Sequence, residues 1–249
     1  GRLRGRIRCR TASRRREFSY ENLVPLSQLD VEYSFSRLER GVTRDLDAII
    51  AVGIFSEDEI NEMILSSPNI IFLNNNQNDT FFDRMFIDYD TPVKKCFEYL
   101  KENGAKRIAF INGLNEEDGI RIGYRRTEGV KSVMKEEGVY NDQLFLIGDL
   151  TDDSGAQMMR KALSLDADAV VLGTQLIENG VLEEYEKSEK KPILILRRDI
   201  DLDYKKTKFP VVRMCSEQLW EVTNLLIYSR LKRPAPPLKV YIQATFEAV

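Results

Sequence analysis

The sequence of 249 residues contains no histidine and only three cysteines. Without histidine, a Ser-His-Asp triad, a Cys-His pair and a zinc site with histidine ligands are all excluded. The cysteines are Cys9, Cys96 and Cys215, which are far apart and odd in number. That pattern argues against a disulfide framework and fits a reducing compartment.

Several common signatures are also missing. No segment matches the phosphate-binding patterns GxxxxGK[ST] or GxGxxG. No apolar run reaches the roughly 18 residues needed to cross a bilayer, and the N-terminus shows no secretory signal. We therefore expect a cytoplasmic binding protein rather than an enzyme, with no cofactor and no metal.

Charge is unevenly placed along the chain. The net charge is -3, yet the stretch 1–16, GRLRGRIRCRTASRRR, holds eight arginines and no acid. This basic head is either an arm that binds nucleic acid or a disordered terminus. The remainder is correspondingly acidic, and an acidic surface is a poor binder of DNA by itself.

From Leu46 onward, apolar runs of strand length alternate with helical segments. The predicted strands are 46–53, 69–75, 85–89, 107–113, 143–149, 168–173, 192–197 and 211–214. Helices are predicted after five of them, at 56–65, 91–103, 126–138, 154–163 and 176–187, with Gly104 and Gly138 as helix ends. A loop is predicted after 192–197, and a long helix is predicted from Ser216. This alternation predicts an α/β fold with parallel sheets. Residues 1–45 do not fit the scheme, although VEYSFSRL (31–38) within them could be a strand.

The order of five stretches carries a resemblance to the lactose/galactose-repressor family of bacterial transcription regulators. They are DLDAIIAVG (45–53), FIDYDTPVKKCFEYLKENGAKRIAFING (86–113), RTEGVKSVMKEEGV (126–139), GDLTDDSGAQMMRKAL (148–163) and KVYIQATFEAV (239–249). The resemblance implies two doubly wound parallel-sheet lobes joined by crossover strands, as in type I periplasmic binding proteins. It also implies an effector bound between the lobes.

The same resemblance implies a division into lobes. The N-terminal lobe would comprise 1–88 and part of 200–235, its first 45 residues being atypical or incomplete. The C-terminal lobe would comprise 89–200 and 236–249. Such a regulator, most often a repressor, acts as a homodimer that binds operator DNA through a helix-turn-helix headpiece. We find no headpiece in residues 1–45 and expect it to lie outside this chain.

Candidate effector contacts also follow from the resemblance. Arg126 matches the arginine with which the family binds its effector, and a guanidinium fork suits vicinal hydroxyls or a carboxylate. Leu150 stands where the family has an aromatic residue, and Thr174 and Gln175 stand where it has Asn-Asp. Asp88, at a crossover, either lines the site or caps the following helix.

Arg198 stands where the family has an aspartate, which reverses the charge. Together with Arg126 it would form a two-arginine anion site, so we predict an acidic effector such as a sugar acid or a sugar phosphate. The alternatives are that Arg198 pairs with Asp199 or Asp201, or that the site has decayed.

Two other functions compete with a regulator. A transport-type sugar-binding protein has the same architecture but needs an export signal or a lipoprotein cysteine, and neither is visible. An enzyme would need a catalytic cluster. The acidic run Glu116-Glu117-Asp118 follows a predicted strand and is interpreted as solvated loop charge.

Overall fold

The computed structural model describes residues 7–10, 16–18, 31–35, 47–52, 55, 57–73, 81–117, 120–198, 207–213 and 216–248. The strands in this part of the chain are β1 (Ile7–Arg10), β2 (Arg16–Phe18), β3 (Val31–Phe35), β4 (Ala48–Val52), β5 (Ile70–Leu73), β6 (Asp83–Asp88), β7 (Ile108–Glu117), β8 (Ile120–Ile122), β9 (Phe145–Asp149), β10 (Ala169–Leu172), β11 (Ile193–Arg198), β12 (Val211–Arg213), β13 (Lys239–Gln243) and β14 (Thr245–Glu247). The α-helices are α1 (Glu57–Ser66), α2 (Asp90–Glu102), α3 (Tyr124–Glu136), α4 (Asp152–Ser164), α5 (Glu178–Lys187) and α6 (Ser216–Lys232).

The chain divides into two compact units. The first comprises Gly1–Ile87 and Glu217–Ile242, and the second comprises Asp88–Ser216 and Gln243–Val249. The chain therefore passes from one unit to the other three times. The stretch 236–242, which we expected in the second lobe, lies in the first unit, because β13 is a neighbour of β6 in that unit's sheet.

The first unit contains a sheet in the order β13-β6-β5-β4-β3-β1-β2. Strands β3 to β6 pair in parallel, each with the next, and β1 pairs in parallel with β3. Strand β3 comprises the first five residues of the stretch VEYSFSRL, where a strand was predicted. The sequence did not indicate β1, which lies within the Arg-rich head, or β2, which pairs with it antiparallel. The polar run NNNQND (74–79), interpreted as a turn, lies outside the described residues.

A buried ion pair fixes the end of α6 to the start of β6 in the first unit. The Arg230 side chain donates to both carboxylate oxygens of Asp83, over 2.7 and 2.8 Å, and to the Pro236 carbonyl oxygen. The backbone N–H of Leu238 donates to the same carboxylate. Asp83 is only 5% exposed. One carboxylate therefore joins β6, α6 and the proline-rich segment before β13.

The second unit contains a sheet in the order β14-β12-β11-β10-β7-β8, with β9 paired to β7. Strands β7, β9, β10, β11 and β12 form parallel pairs, whereas β14 and β8 are antiparallel to their neighbours. Together with the first sheet, this architecture confirms the predicted α/β fold of doubly wound parallel sheets.

Both faces of the second sheet are covered by helices, which explains the continuous apolar strands. Ala109 and Ile111 of β7 pack in a core with α4 and α5. Ile108 and Phe110, the alternate residues of the same strand, pack in a core with α2 and α3. Because side chains alternate along a strand, a sheet buried on both faces needs an apolar residue at every position.

One polar segment differs from its prediction. Strand β7 continues past the predicted end at 113 as far as Glu117, and it pairs antiparallel with β8. Glu116, which we expected in a solvated loop, lies opposite Arg121 in this hairpin, and their side chains form an exposed ion pair of 3.4 Å. Its described side chains from Asn115 to Ile122 are exposed and mostly polar, so the sequence shows no run of apolar residues that would have indicated a hairpin.

We predict that Asp83→Asn lowers the free energy of unfolding by about 3–5 kcal/mol, because it leaves the Arg230 charge buried without its partner. Urea denaturation of the purified protein measures this change. The matched control is Glu183→Gln, which removes one partner of the exposed pair with Lys187 and should cost less than about 0.5 kcal/mol. Equal effects of the two substitutions would contradict the structural role of Asp83.

We also predict that Cys96 does not react with thiol reagents in the folded protein. The side chain is fully buried, and burial raises its pKa, so the reactive thiolate is absent at pH 8. With Ellman's reagent, wild type and Cys96→Ala should release the same amount of dye when folded. In urea, wild type should release one equivalent of dye more than Cys96→Ala. A difference in dye release between the two folded proteins would refute the prediction.

Candidate functional site

The candidate residues lie at the carboxyl edge of the sheet in the second unit. Leu150 follows β9, Thr174 and Gln175 lie just beyond β10, and Arg198 ends β11. Arg126 lies in the first turn of α3. Because these strands are parallel, their carboxyl ends meet at one edge, which is where open α/β sheets bind ligands.

Arg126 reaches from α3 to the end of β10. Its Nη1 donates to the Gly173 carbonyl oxygen over 2.9 Å. The start of α3 lies close against β7, since a Cβ on Gly123 would be 2.6 Å from the Gly113 carbonyl oxygen. Gly123 also has φ of +87°, which favours glycine. This close approach directs the half-buried guanidinium to the carboxyl edge.

Asn112 is a polar residue of this edge that the sequence analysis missed. It is fully buried in β7, and its Nδ2 donates to Thr127 Oγ1 over 2.8 Å. Thr127 Oγ1 in turn donates to the Gly123 carbonyl oxygen. The Asn112 Oδ1 has no hydrogen-bond partner among the described residues, and it occupies the space that a Cβ on Gly173 would need. An asparagine inside the apolar run IAFING was the signal that could have revealed it.

Arg198 is held by a carboxylate from a neighbouring helix. Its Nη2 donates to Glu178 Oε1 over 2.7 Å, and its Nη1 donates to Glu178 Oε2, so the pair is bidentate. Both side chains are largely buried, at 14% and 12% exposure. Glu178 is the first residue of α5, whereas the partners considered from sequence, Asp199 and Asp201, lie outside the described residues.

The ion pair weakens the case for an acidic effector. An arginine paired to a carboxylate contributes no net charge to its surroundings, so Arg198 and Arg126 do not add up to a doubly positive site. The pair does present donors and acceptors together at the end of β11. That combination suits hydroxyl groups, which both donate and accept.

Thr174 and Asp88 have local structural contacts. Thr174 is buried, and its Oγ1 accepts a hydrogen bond from the backbone N–H of Leu176. Asp88 Oδ1 accepts from the backbone N–H of Asp90 at the start of α2, over 3.0 Å. Of the two roles considered for Asp88, these contacts support the helix cap. Gln175 is exposed and Leu150 is half-buried.

Arg197 is a second residue that the sequence analysis did not single out. It is 2% exposed, and its guanidinium lies 3.8 Å from the centre of the Tyr89 ring. A cation over an aromatic face is stabilised by the ring quadrupole, more strongly when the pair is desolvated. The packing orders the end of β11 beside Arg198.

The described part of the chain contains neither a candidate metal centre nor a candidate membrane-spanning helix. No group of three or more His, Cys, Asp or Glu side chains there could hold a metal ion. None of its helices is both long and apolar enough to span a bilayer.

No protein-family model matches the chain. Curated relatives are nevertheless found, and the chain is 20% identical over 215 residues to the HTH-type transcriptional repressor MelR of Bacillus subtilis (strain 168). This match covers 82% of the chain and 62% of the relative. The chain is 25% identical over 169 residues to catabolite control protein A of Priestia megaterium, covering 66% of the chain and 50% of the relative. The chain thus matches between about half and two thirds of the length of these regulators.

Solved structures share the fold. A LacI family transcriptional regulator from Enterococcus faecium with bound ribose has a TM-score of 0.65 at 21% identity, covering 81% of this chain and 78% of that one. A complex of the transcriptional regulator CelR with cellobiose also has a TM-score of 0.65, at 19% identity, with coverage of 82% and 65%. The fold is therefore that of the periplasmic-binding-protein-like core of LacI-family regulators. The resemblance to the lactose/galactose-repressor family is confirmed.

We predict that Glu178→Gln lowers the free energy of unfolding by about 1–3 kcal/mol, because it replaces the carboxylate that pairs with the largely buried Arg198 by a neutral amide. The same substitution should create an anion site, which sulfate would occupy. Urea denaturation with and without sulfate measures both effects, with sodium chloride at equal ionic strength as the control. A variant that is as stable as wild type, with no specific response to sulfate, would contradict the inferred pairing.

Proposed function

We propose that this chain is the effector-binding and dimerisation part of a ligand-responsive bacterial transcription regulator, acting as a repressor. The observation that carries the proposal is the hydrogen bond from Arg126 to Gly173 at the carboxyl edge of a parallel sheet. This contact supports the proposal, because ligands of such sheets bind at this edge. The named relatives, which include a repressor, support a regulator rather than a transport protein or an enzyme.

The proposed effector is a sugar or a sugar-derived small molecule. Arg126 offers a planar fork of donors and contacts Gly173, and the buried Asn112 amide adjoins the same glycine. The Arg198–Glu178 pair is neutral overall, so it favours a neutral sugar over the acidic effector predicted from sequence. The ribose and cellobiose bound by two structural relatives agree with this class. Leu150 would supply an apolar contact in place of a stacking ring.

Regulation would follow from a difference in affinity between two conformations. An effector that binds one conformation more tightly shifts the population toward it, and couplings of 1–3 kcal/mol are typical. We propose that the protein acts in the cytoplasm as a homodimer, whose symmetry matches a palindromic operator bound through helix-turn-helix headpieces.

A thermal-shift screen against neutral sugars, sugar acids and sugar phosphates tests the effector site. A ligand at 100 times its Kd contributes about 2.7 kcal/mol, which raises Tm by roughly 5–10 °C in a chain of this size. We expect a neutral sugar to give this response and Arg126→Ala to weaken its binding about 10- to 100-fold.

The control for that screen is Arg160→Ala, which removes an exposed arginine of α4 that pairs with Glu184. It should leave the affinity unchanged. A sugar that binds equally well to wild type and Arg126→Ala would refute the proposed site. A response to sugar acids alone would restore the acidic effector and contradict our interpretation of the Arg198 pair.

A further inference from the structure

A cavity of about 500 Å³ lies at the opposite edge of the sheet in the second unit. Ile193, the first residue of β11, and Pro210, which directly precedes β12, are among its lining residues. The cavity therefore lies at the amino ends of these strands, whereas Arg198 lies at the carboxyl end of β11. Its volume falls within the roughly 300–1,000 Å³ of small-molecule sites.

Three aromatic side chains form walls of this cavity. Tyr99 comes from α2, Tyr185 comes from α5, and Phe209 comes from the segment before β12. The Tyr185 and Phe209 rings meet edge to face, with centroids 5.4 Å apart, and the Tyr99 ring packs against Phe246 at 5.4 Å. All three are partly buried. Rings held in place in this way present a rigid apolar surface to a planar ligand.

The rim of the cavity carries more positive than negative charge. Lys208 and Lys191 share one carboxylate, Glu186, at 2.9 and 3.9 Å. The hydrogen bond from Lys208 lowers the pKa of Glu186, so this group is ionised at neutral pH. Lys191 is also held by the carbonyl oxygens of Tyr185 and Glu186 at the end of α5. The two lysines and the one carboxylate together give the rim a net charge of +1.

We propose that this cavity is a second small-molecule site, specific for a planar aromatic ligand that carries one carboxylate. The ring would lie against the walls formed by Tyr185 and Phe209, and the carboxylate would face Lys208 at the rim. Such a site is distinct from the proposed effector site, because it lies at the other end of the strands and is lined by aromatic rings.

Isothermal titration of the purified protein with 4-hydroxybenzoate tests the site, with the neutral 4-hydroxybenzyl alcohol as the comparison. We expect the carboxylate to bind at least about fivefold more tightly than the alcohol. Lys208→Glu, at a side chain that is 71% exposed, should remove this preference without affecting the fold. Phe209→Leu should weaken the binding of both probes about three- to tenfold.

Two controls locate the binding. Lys190→Glu makes the same charge reversal at an exposed lysine outside the cavity lining, and it should leave the affinity unchanged. Arg126→Ala should also leave it unchanged, which separates this site from the proposed effector site. The proposal is overturned if 4-hydroxybenzoate does not bind at millimolar concentration, if Lys208→Glu keeps the preference, or if Arg126→Ala abolishes binding.

Discussion

In the second unit, strands β7, β9, β10, β11 and β12 hydrogen-bond in parallel, so successive strands need crossover connections. Helices α3, α4 and α5 lie between β7 and β9, β9 and β10, and β10 and β11, and together with α2 they cover both faces of the sheet. Each strand must then be apolar on both sides. Polar residues are tolerated mainly where the strands end. Parallel pairing therefore gathers Asn112, Thr174 and Arg198 at one edge, although they are far apart in the chain.

A charged side chain that is buried at the strand ends also needs a partner of opposite charge. Glu178 is this partner for Arg198, because α5 begins at the edge where β11 ends. The charge of Arg198 suggested an acidic ligand, and the alternative was a pairing with Asp199 or Asp201, the nearest acids in the chain. The partner comes from 20 residues away. An isolated sequence does not show such a pairing, because it depends on which helix begins beside which strand.

The apolar elements of the fold could be predicted from the sequence, whereas its polar strands could not. Strands β4, β5, β10 and β11 contain continuous apolar runs, and Gly104 closes α2 with φ of +80°, so hydrophobic pattern and glycine position were sufficient to predict them. The β7–β8 hairpin and β1 are polar or arginine-rich, so no apolar run in the sequence marked them, and they are strands through their pairing. The role of Arg126 as a candidate effector contact could be predicted only through the family resemblance. Asn112 was missed because its polar contacts come from α3, across the turn after the strand.

The two proposed sites of the second unit share their supporting elements. Helix α5 begins at Glu178, which holds Arg198, and its last turn carries Tyr185 and Glu186 at the aromatic cavity. Strand β11 runs between the same two places, from Ile193 to Arg198. A ligand that shifted α5 along its axis from the cavity would displace Glu178 relative to Arg198, because a packed helix moves as a rigid body. Coupling between the sites would thus require no element other than the helix and the strand that already connect them.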